Sequence, residues 1–390
     1  MLKWIGRGAA IVVLVGAAVF FGVLPGLVEK GRNGVVEHDP YPVSDAARDL
    51  HARLVIGDWH ADSLLWNRNL LQRGSRGHVD IPRLAEGNVA VQVFTTVTKS
   101  PAGQNYDENA TDARDNITLL AIAQLWPLKA WTNLTERGLY MAERMSAYAA
   151  KSPETLRMIT SAADLDRLLS DRAKGSKTVG AIMGAEGGHV LEGDIANLAR
   201  LYDAGFRVIG LTHFFDNALG GSLHGEKGHG LTDFGRDVVG EMVARNMIID
   251  LAHTSPQMAR DVLEMTDVPL IVSHTGLFSA CPVKRNFPDD LMRAIAATGG
   301  VIGIGYWEDV TCDATPAGIA RTIAAAVDVL GAEAVSLGSD FDGSVETGFD
   351  TSELAALTQA LLDEGLSEDV IFAVMGGNMM RVLRATLPPN

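Results

Sequence analysis

The chain is short of cysteine and of positive charge, and each shortage excludes something. Cys281 and Cys312 are its only two cysteines in 390 residues, and they stand too far apart to form the close doublets of metal-binding cysteine pairs. They are one disulfide if the protein is exported, or two buried thiols if it stays in the cytosol; the disulfide is the favoured reading. Lys and Arg number 33 against 48 Asp and Glu, for a formal net charge of −15. A nucleic-acid binder needs a basic footprint, so a phosphate-backbone partner is excluded, and electrostatic docking on anionic lipid is disfavoured. No glycine-rich phosphate loop follows the first strand-like run, as a doubly wound nucleotide fold would carry. No short repeat occurs beyond a strand–helix rhythm. The C-terminal Thr386-Leu387-Pro388-Pro389-Asn390 lacks the hydrophobic tail of a lipid-anchor signal.

The N-terminus is different. After Lys3 and Arg7, residues 8–28 carry no charge and are mostly Ala, Val, Leu, Ile and Phe. About 20 such residues cross a bilayer as a helix, and a secretory signal has a similar basic start and apolar core. Small residues Ala17 and Ala18 fall in mid-run, and the far end reads Val23-Leu24-Pro25-Gly26-Leu27, which favours an uncleaved anchor over 1–28. Lys3 and Arg7 then stay in the cytoplasm and the bulk is exported; a soluble secreted protein after signal cleavage is the alternative. Residues 29–44, charged and containing Gly and Pro, read as a linker. The rest, 45–390, reads as one domain, because α/β barrels reach this length undivided.

Beyond a short helix expected over 45–53, eight continuous apolar runs appear: 54–57, 89–94, 179–183, 208–211, 247–251, 270–272, 301–305 and 335–338. Continuous Val/Ile/Leu runs mark strands buried on both faces. Helical periodicity fills the gaps over 193–204, 235–245, 256–266, 288–298, 317–330 and 351–364, and strand–helix alternation implies a parallel sheet. Eight strands close naturally as a (β/α)8 TIM-type barrel. One interval, 97–177, is longer than a crossover requires; it holds expected helices near 112–126, 134–150 and 162–170 and reads as an elaboration over or beside the site mouth.

Polar residues gather at the ends of these runs. His60 and Asp62 follow the first, Glu186 the third, His213 the fourth, His253 the fifth, His274 the sixth and Asp340 the eighth. In a parallel barrel these ends share one face, and imidazoles with carboxylates are a ligand set for zinc or a similar divalent ion. Taken singly, each has a plain alternative: a loop His-x-Asp, a turn Glu before Gly187-Gly188, a hydrogen-bonded core histidine, or a capping Asp. Together they outweigh those. Glu186 can bridge two cations, Asp340 can move a proton with Asp342 as its competitor, and His213 can polarise a substrate oxygen. Arg285 either grips a carboxylate or solvates a loop. His38, His51, His78, His189, His224 and His229 lie away from the strand ends and receive no catalytic role.

At this point the chain from Leu54 to Leu383 resembles the membrane (renal) dipeptidase family, zinc metallopeptidases on a barrel related to the amidohydrolases. The motifs are His60-Ala61-Asp62, Ala185-Glu186-Gly187-Gly188, Leu211-Thr212-His213, Ile249 to Ser255, Ser273-His274, Arg285 to Asp290 and Gly338 to Gly343. The resemblance implies two Zn2+ per chain, one on His60 and Asp62, one on His253 and His274, bridged by Glu186. It places His213 on the scissile carbonyl, Arg285 on the substrate's carboxylate and Asp340 on the proton. It further implies a Cys281–Cys312 disulfide, as in animal members, a homodimer, and dipeptide hydrolysis by a metal-bridging hydroxide. A related amidohydrolase acting on a lactam or one dedicated peptide intermediate is the rival enzyme, and a catalytically dead binding protein the rival class. Ala61, Ser63 and Leu64 depart from the family pattern, as does the 97–177 segment. The N-terminal anchor replaces the C-terminal lipid anchor of animal relatives and suggests a bacterial envelope protein.

Overall fold

The computed structural model describes residues 2–390, with residues 2–6 and 8–10 described by their backbone only. Its frame is a parallel sheet of β1 (Ile56–Ala61), β2 (Val89–Phe94), β3 (Leu156–Met158), β4 (Val179–Ala185), β5 (Phe206–Gly210), β6 (Ile248–Asp250), β7 (Ile271–Thr275), β8 (Val301–Ile304) and β9 (Val335–Leu337). Eight of them neighbour one another in the order β1-β2-β4-β5-β6-β7-β8-β9. The ends of that row meet: Asp62 N donates to Phe341 O at 2.9 Å, Ser339 N to Asp58 Oδ2 at 3.1 Å and Trp59 Nε1 to Ser336 Oγ at 3.2 Å. The expected eight-stranded parallel barrel is thus present and nearly closed, and all its strands end on one face.

Closure is visible in the packing too. Trp59, Val91, Val93, Ile182, Val208, Ile248, Ile271 and Val301 come from seven strands and form one buried cluster with Met379, Met380, Val382 and Leu383 of the C-terminal helix (Asn378–Thr386). A ring drawn from so many strands converges only inside a closed barrel. Close approach needs small residues: a Cβ on Gly338 would fall 1.7 Å from Ser273 O. The larger core lies between barrel and helices.

The sequence misplaces some strand ends. β1 and β7 run on past their apolar residues to Ala61 and Thr275, because polar residues of the site still belong to the ladder, and β4 runs on through Gly184 to Ala185. β3 is an addition: three residues inside the 97–177 elaboration pair with the first half of β4. Helices over Asn116–Ala123, Leu134–Lys151 and Ala162–Ala173 fill the rest of that segment.

At the N-terminus one helical run extends from Leu2 through a wider turn at Val19–Val23 to Arg32. Its stretch Ile11–Arg32 is long and apolar enough to cross a membrane, and it is almost entirely unburied. An anchor and a signal sequence both fit that description. The run does not end clear of the barrel: Glu29 and Asn33, in the charged stretch read as a linker, are both buried against it.

Candidate active site

Every strand-end residue singled out in the sequence reaches one buried cluster. Glu186 Oε1 lies at its centre, 3.4 Å from His60 Nε2, 3.2 Å from His253 Nε2 and 3.4 Å from His274 Nε2. Its other oxygen is 3.3 Å from His213 Nε2. Asp62 Oδ1 stands 3.7 Å and Asp340 Oδ1 3.9 Å from His60 Nε2. Three sets of potential ligand atoms lie within 4.8 Å of one another: His60, Asp62 and Glu186; Glu186, His213 and His253; and His60, His274 and Asp340. Geometry therefore brings His213 and Asp340 as near a cation position as the five residues expected to be ligands.

Local structure aims these side chains. Ser255 caps the helix Pro256–Met265 by accepting from Met258 N, so the helix starts directly behind the turn that carries His253. His253 itself adopts φ +62°, a left-handed conformation that a non-glycine residue holds only when its surroundings enforce it. Asp250 Oδ1 accepts from Ala252 N and Ser273 N, both at 2.9 Å, and so fixes β6 to β7 just below His253 and His274. Ser273 Oγ lies 2.8 Å from His274 Nδ1 and 3.2 Å from His60 Nδ1, orienting both rings with Nε2 toward Glu186. Thr95 Oγ1 donates to Asp62 Oδ1 at 2.6 Å. Partners behind the ligating atoms fix ring orientation and tautomer in metal sites.

The donor set suits divalent cations. His253 Nε2 and His274 Nε2 face each other at 3.0 Å, with one carboxylate oxygen beside both, and His60 Nε2 is buried without a hydrogen-bond partner. Electrostatics agree. Burial, reinforced by Asp62, pushes the Glu186 carboxyl well above its usual range. Burial and Asp62 also raise Asp340 to about 8. His60 is driven down by burial but more strongly up by Glu186 and Asp62, to about 10. A site holding three buried carboxylates calls for positive charge. Conversely, burial, with Arg285 or His60 nearby, holds His253 and His274 well below their usual value, in the neutral form a metal binds. Burial lowers His213 to about 4.

The cluster opens on a cavity of about 580 Å³, counted with its mouth, lined by Asp62, Glu186, His213, His253, Arg285 and Asp340 and by Tyr106, Phe214 and Trp307. Arg285 is buried; its Nη2 donates to His274 O at 2.8 Å, while its Nε has no partner. Asp342 does not face this cavity. Its carboxylate accepts from Ser63 Oγ at 2.5 Å, from His78 N at 2.7 Å and from Arg68. It is fully buried, yet Arg68 and His78 hold it below the ordinary carboxylate range. A disulfide joins Cys281 to Cys312, tying the loop of Arg285 to the turn beyond Trp307.

Sequence reasoning missed the cavity's aromatic wall. Trp307 donates to Tyr106 Oη at 3.0 Å, and Phe214 stacks on His224 with ring centroids 4.9 Å apart. Trp307 follows β8, which like β2 ends without a His, Asp or Glu to mark it as part of a site. Tyr106 comes from the 97–177 elaboration, where no periodic signal marks it.

Comparison with known proteins agrees with this geometry. The family model for membrane dipeptidases (peptidase family M19) matches residues 44–387. Dipeptidase aclJ of Aspergillus oryzae is 30% identical over 357 residues, covering 85% of this chain and 78% of that protein. Among solved structures, the probable dipeptidase PvdM of Pseudomonas aeruginosa superposes with a TM-score of 0.72 at 17% identity, over 88% of this chain and 98% of its own. A metallopeptidase from Rhodobacter sphaeroides, liganded with a phosphinate mimic of the dipeptide L-Ala-D-Ala, gives 0.68 at 22% identity, over 85% and 99%. At those identities the structures establish the fold, and the family rests on the sequence matches. The chain belongs to the membrane dipeptidase family and is a metallodipeptidase.

Proposed function

We propose that this protein hydrolyses dipeptides with two zinc ions, His60 and Asp62 holding one, His253 and His274 the other, and Glu186 shared between them. The observation that carries this reading is the convergence of those five side chains beside Arg285, which lines the same cavity. Zinc at such positions supplies Lewis acidity toward a carbonyl oxygen and a water made nucleophilic near neutral pH.

The chain's own groups do the rest. Arg285 receives the free carboxylate of the substrate through its guanidinium and fixes the peptide bond over the cluster. His213, neutral at working pH, offers an N–H to the scissile carbonyl oxygen as charge develops there. Asp340, at the edge of the cluster, accepts a proton from the attacking water at a carboxylate oxygen and delivers it to the departing amine. Trp307, Tyr106 and Phe214 wall the cavity and exclude solvent. Leu65, Val97 and Ile117 add an apolar patch for a small side chain.

The N-terminal helix is proposed as a retained anchor, with 45–390 as the catalytic domain on the exported side; Lys3 and Arg7 before the apolar run and the buried Glu29 and Asn33 after it support this. The test of function is a kinetic panel of free dipeptides, including L-Ala-D-Ala, against cyclic amides. Turnover of the dipeptides is expected; turnover of a lactam alone would make the protein a different amidohydrolase.

A further inference from the structure

Asp340 stands on a loop that its own sequence does not favour. Asp340, Asp342 and Ser344 adopt φ of +58°, +64° and +68°, three left-handed non-glycine residues within five positions. Such residues persist only where surrounding contacts over-determine them. On the barrel side the Asp342 carboxylate accepts from Ser63, His78 and Arg68, Trp66 Nε1 donates to Asp342 O at 2.7 Å, and Asp342 N donates to His78 Nδ1 at 3.0 Å.

The other contacts come from the end of the N-terminal apolar helix. Glu29, 1% exposed, accepts from Arg68 Nε and Arg76 Nε, each at 2.5 Å. Arg68 thus lies between Glu29 and Asp342, and its guanidinium is set by both. Four residues on, Asn33 Oδ1 accepts from Ser344 N at 2.8 Å. Gly34 O accepts from Thr347 N at 3.0 Å, and Val36 N donates to Thr347 O at 2.9 Å. Two guanidiniums and two carboxylates form a balanced group in which Glu29, Arg68 and Asp342 are buried and Arg76 is partly exposed, and removing a buried member leaves an uncompensated charge. With Glu29 neutralised, Arg68 and Arg76 repel each other and Arg68 is freed from the plane in which it meets Asp342.

We propose that the last turn of the N-terminal helix is part of the catalytic apparatus: Glu29 through Arg68, and Asn33 through Ser344, are positioning residues for Asp340. This rests on reading Asp340 as the proton carrier. It means that the segment between apolar helix and barrel transmits position to the active site, rather than tethering a self-sufficient enzyme.

The test uses full-length protein in detergent, with Glu29→Gln, Glu29→Asp, Asn33→Ala and Asp340→Asn. Turnover, KM for a hydrolysed dipeptide, bound metal and melting temperature are measured for each. Misplacement by about 1 Å costs up to about 10²-fold in rate, so Glu29→Gln is expected to lower kcat between about 5- and 100-fold. Its KM and metal content should stay near wild type, Glu29→Asp should recover part of the loss, and Asn33→Ala should lower kcat in the same sense. Normal kcat in Glu29→Gln and Asn33→Ala, whether or not their melting temperature falls, overturns the proposal. So does a loss of kcat matched by loss of metal. If Glu29→Gln does not fold, Asn33→Ala decides alone. An active Asp340→Asn removes the proton-carrier reading itself, whereas an inactive Asp340→Asn beside fully active Glu29→Gln and Asn33→Ala removes only this inference.

Discussion

Removing Arg285 should cost the enzyme its sense of the substrate's C-terminus. Arg285 is 2% exposed, and its guanidinium is held from one side by Nη2 on His274 O at 2.8 Å and lies 5.9 Å from the Trp307 ring centroid. These contacts orient the group, which lines the cavity. A substrate carboxylate that meets the guanidinium gains a charge-assisted bond of about 1.5–3 kcal/mol. That corresponds to roughly 10- to 150-fold in kcat/KM. The assay is a two-by-two comparison: wild type and Arg285→Ala, each with one dipeptide in free and C-terminally amidated form. Wild type should prefer the free acid by that factor, and the mutant should prefer neither. Arg285→Lys should recover part of the preference, because an ammonium lacks the planar fork. Equal discrimination by wild type and Arg285→Ala would refute the reasoning, because the carboxylate would then be held by another group. The comparison is internal to each protein, so a general loss of activity in the mutant does not obscure it.

Asp340→Asn should lower turnover by about 10²–10⁴-fold with metal retained; wild-type turnover in that variant, with loss in Asp342→Asn, would reverse the two assignments. Replacing Cys281 and Cys312 by Ser opens a link between residues 31 apart in sequence, and loop entropy puts the cost at about 3–4 kcal/mol, read as a lower melting temperature with a raised KM. His51 is lowered from 6.5 to about 4 by burial, so its neutral form belongs to the fold. The unfolded chain binds that proton more readily, stability is complete above about pH 6.5, and it falls as pH drops toward 4. The span is at most about 3 kcal/mol. Melting temperatures measured across that window should fall less steeply in His51→Gln than in wild type.

The barrel is legible in the sequence because parallel strands covered on both faces leave unbroken apolar runs, as at Val89–Phe94, where expected and observed bounds coincide. It is less legible at the site, since the same strands turn polar where chemistry begins: Asp58 and His60 lie within β1, and Ser273 and His274 within β7. The convergence of His60, Asp62, Glu186, His213, His253, His274, Arg285 and Asp340 follows from topology, because parallel strand ends share a face. What topology does not specify comes from long-range contact. Tyr106 meets Trp307 across 201 positions, and Arg68 meets Asp342 across 274. Glu29 looks like an ordinary charge after an apolar run, and only its two arginine partners give it a role. β3 is three residues long, too short for any periodicity to announce it.

The most direct measurement is metal content coupled to hydrolysis in the purified full-length protein. Two divalent ions per chain are expected, with loss of dipeptide hydrolysis as a chelator removes them and recovery when zinc is restored. His253→Ala should retain fewer ions. Protein that carries no metal and hydrolyses dipeptides undiminished in chelator would contradict the account at its centre.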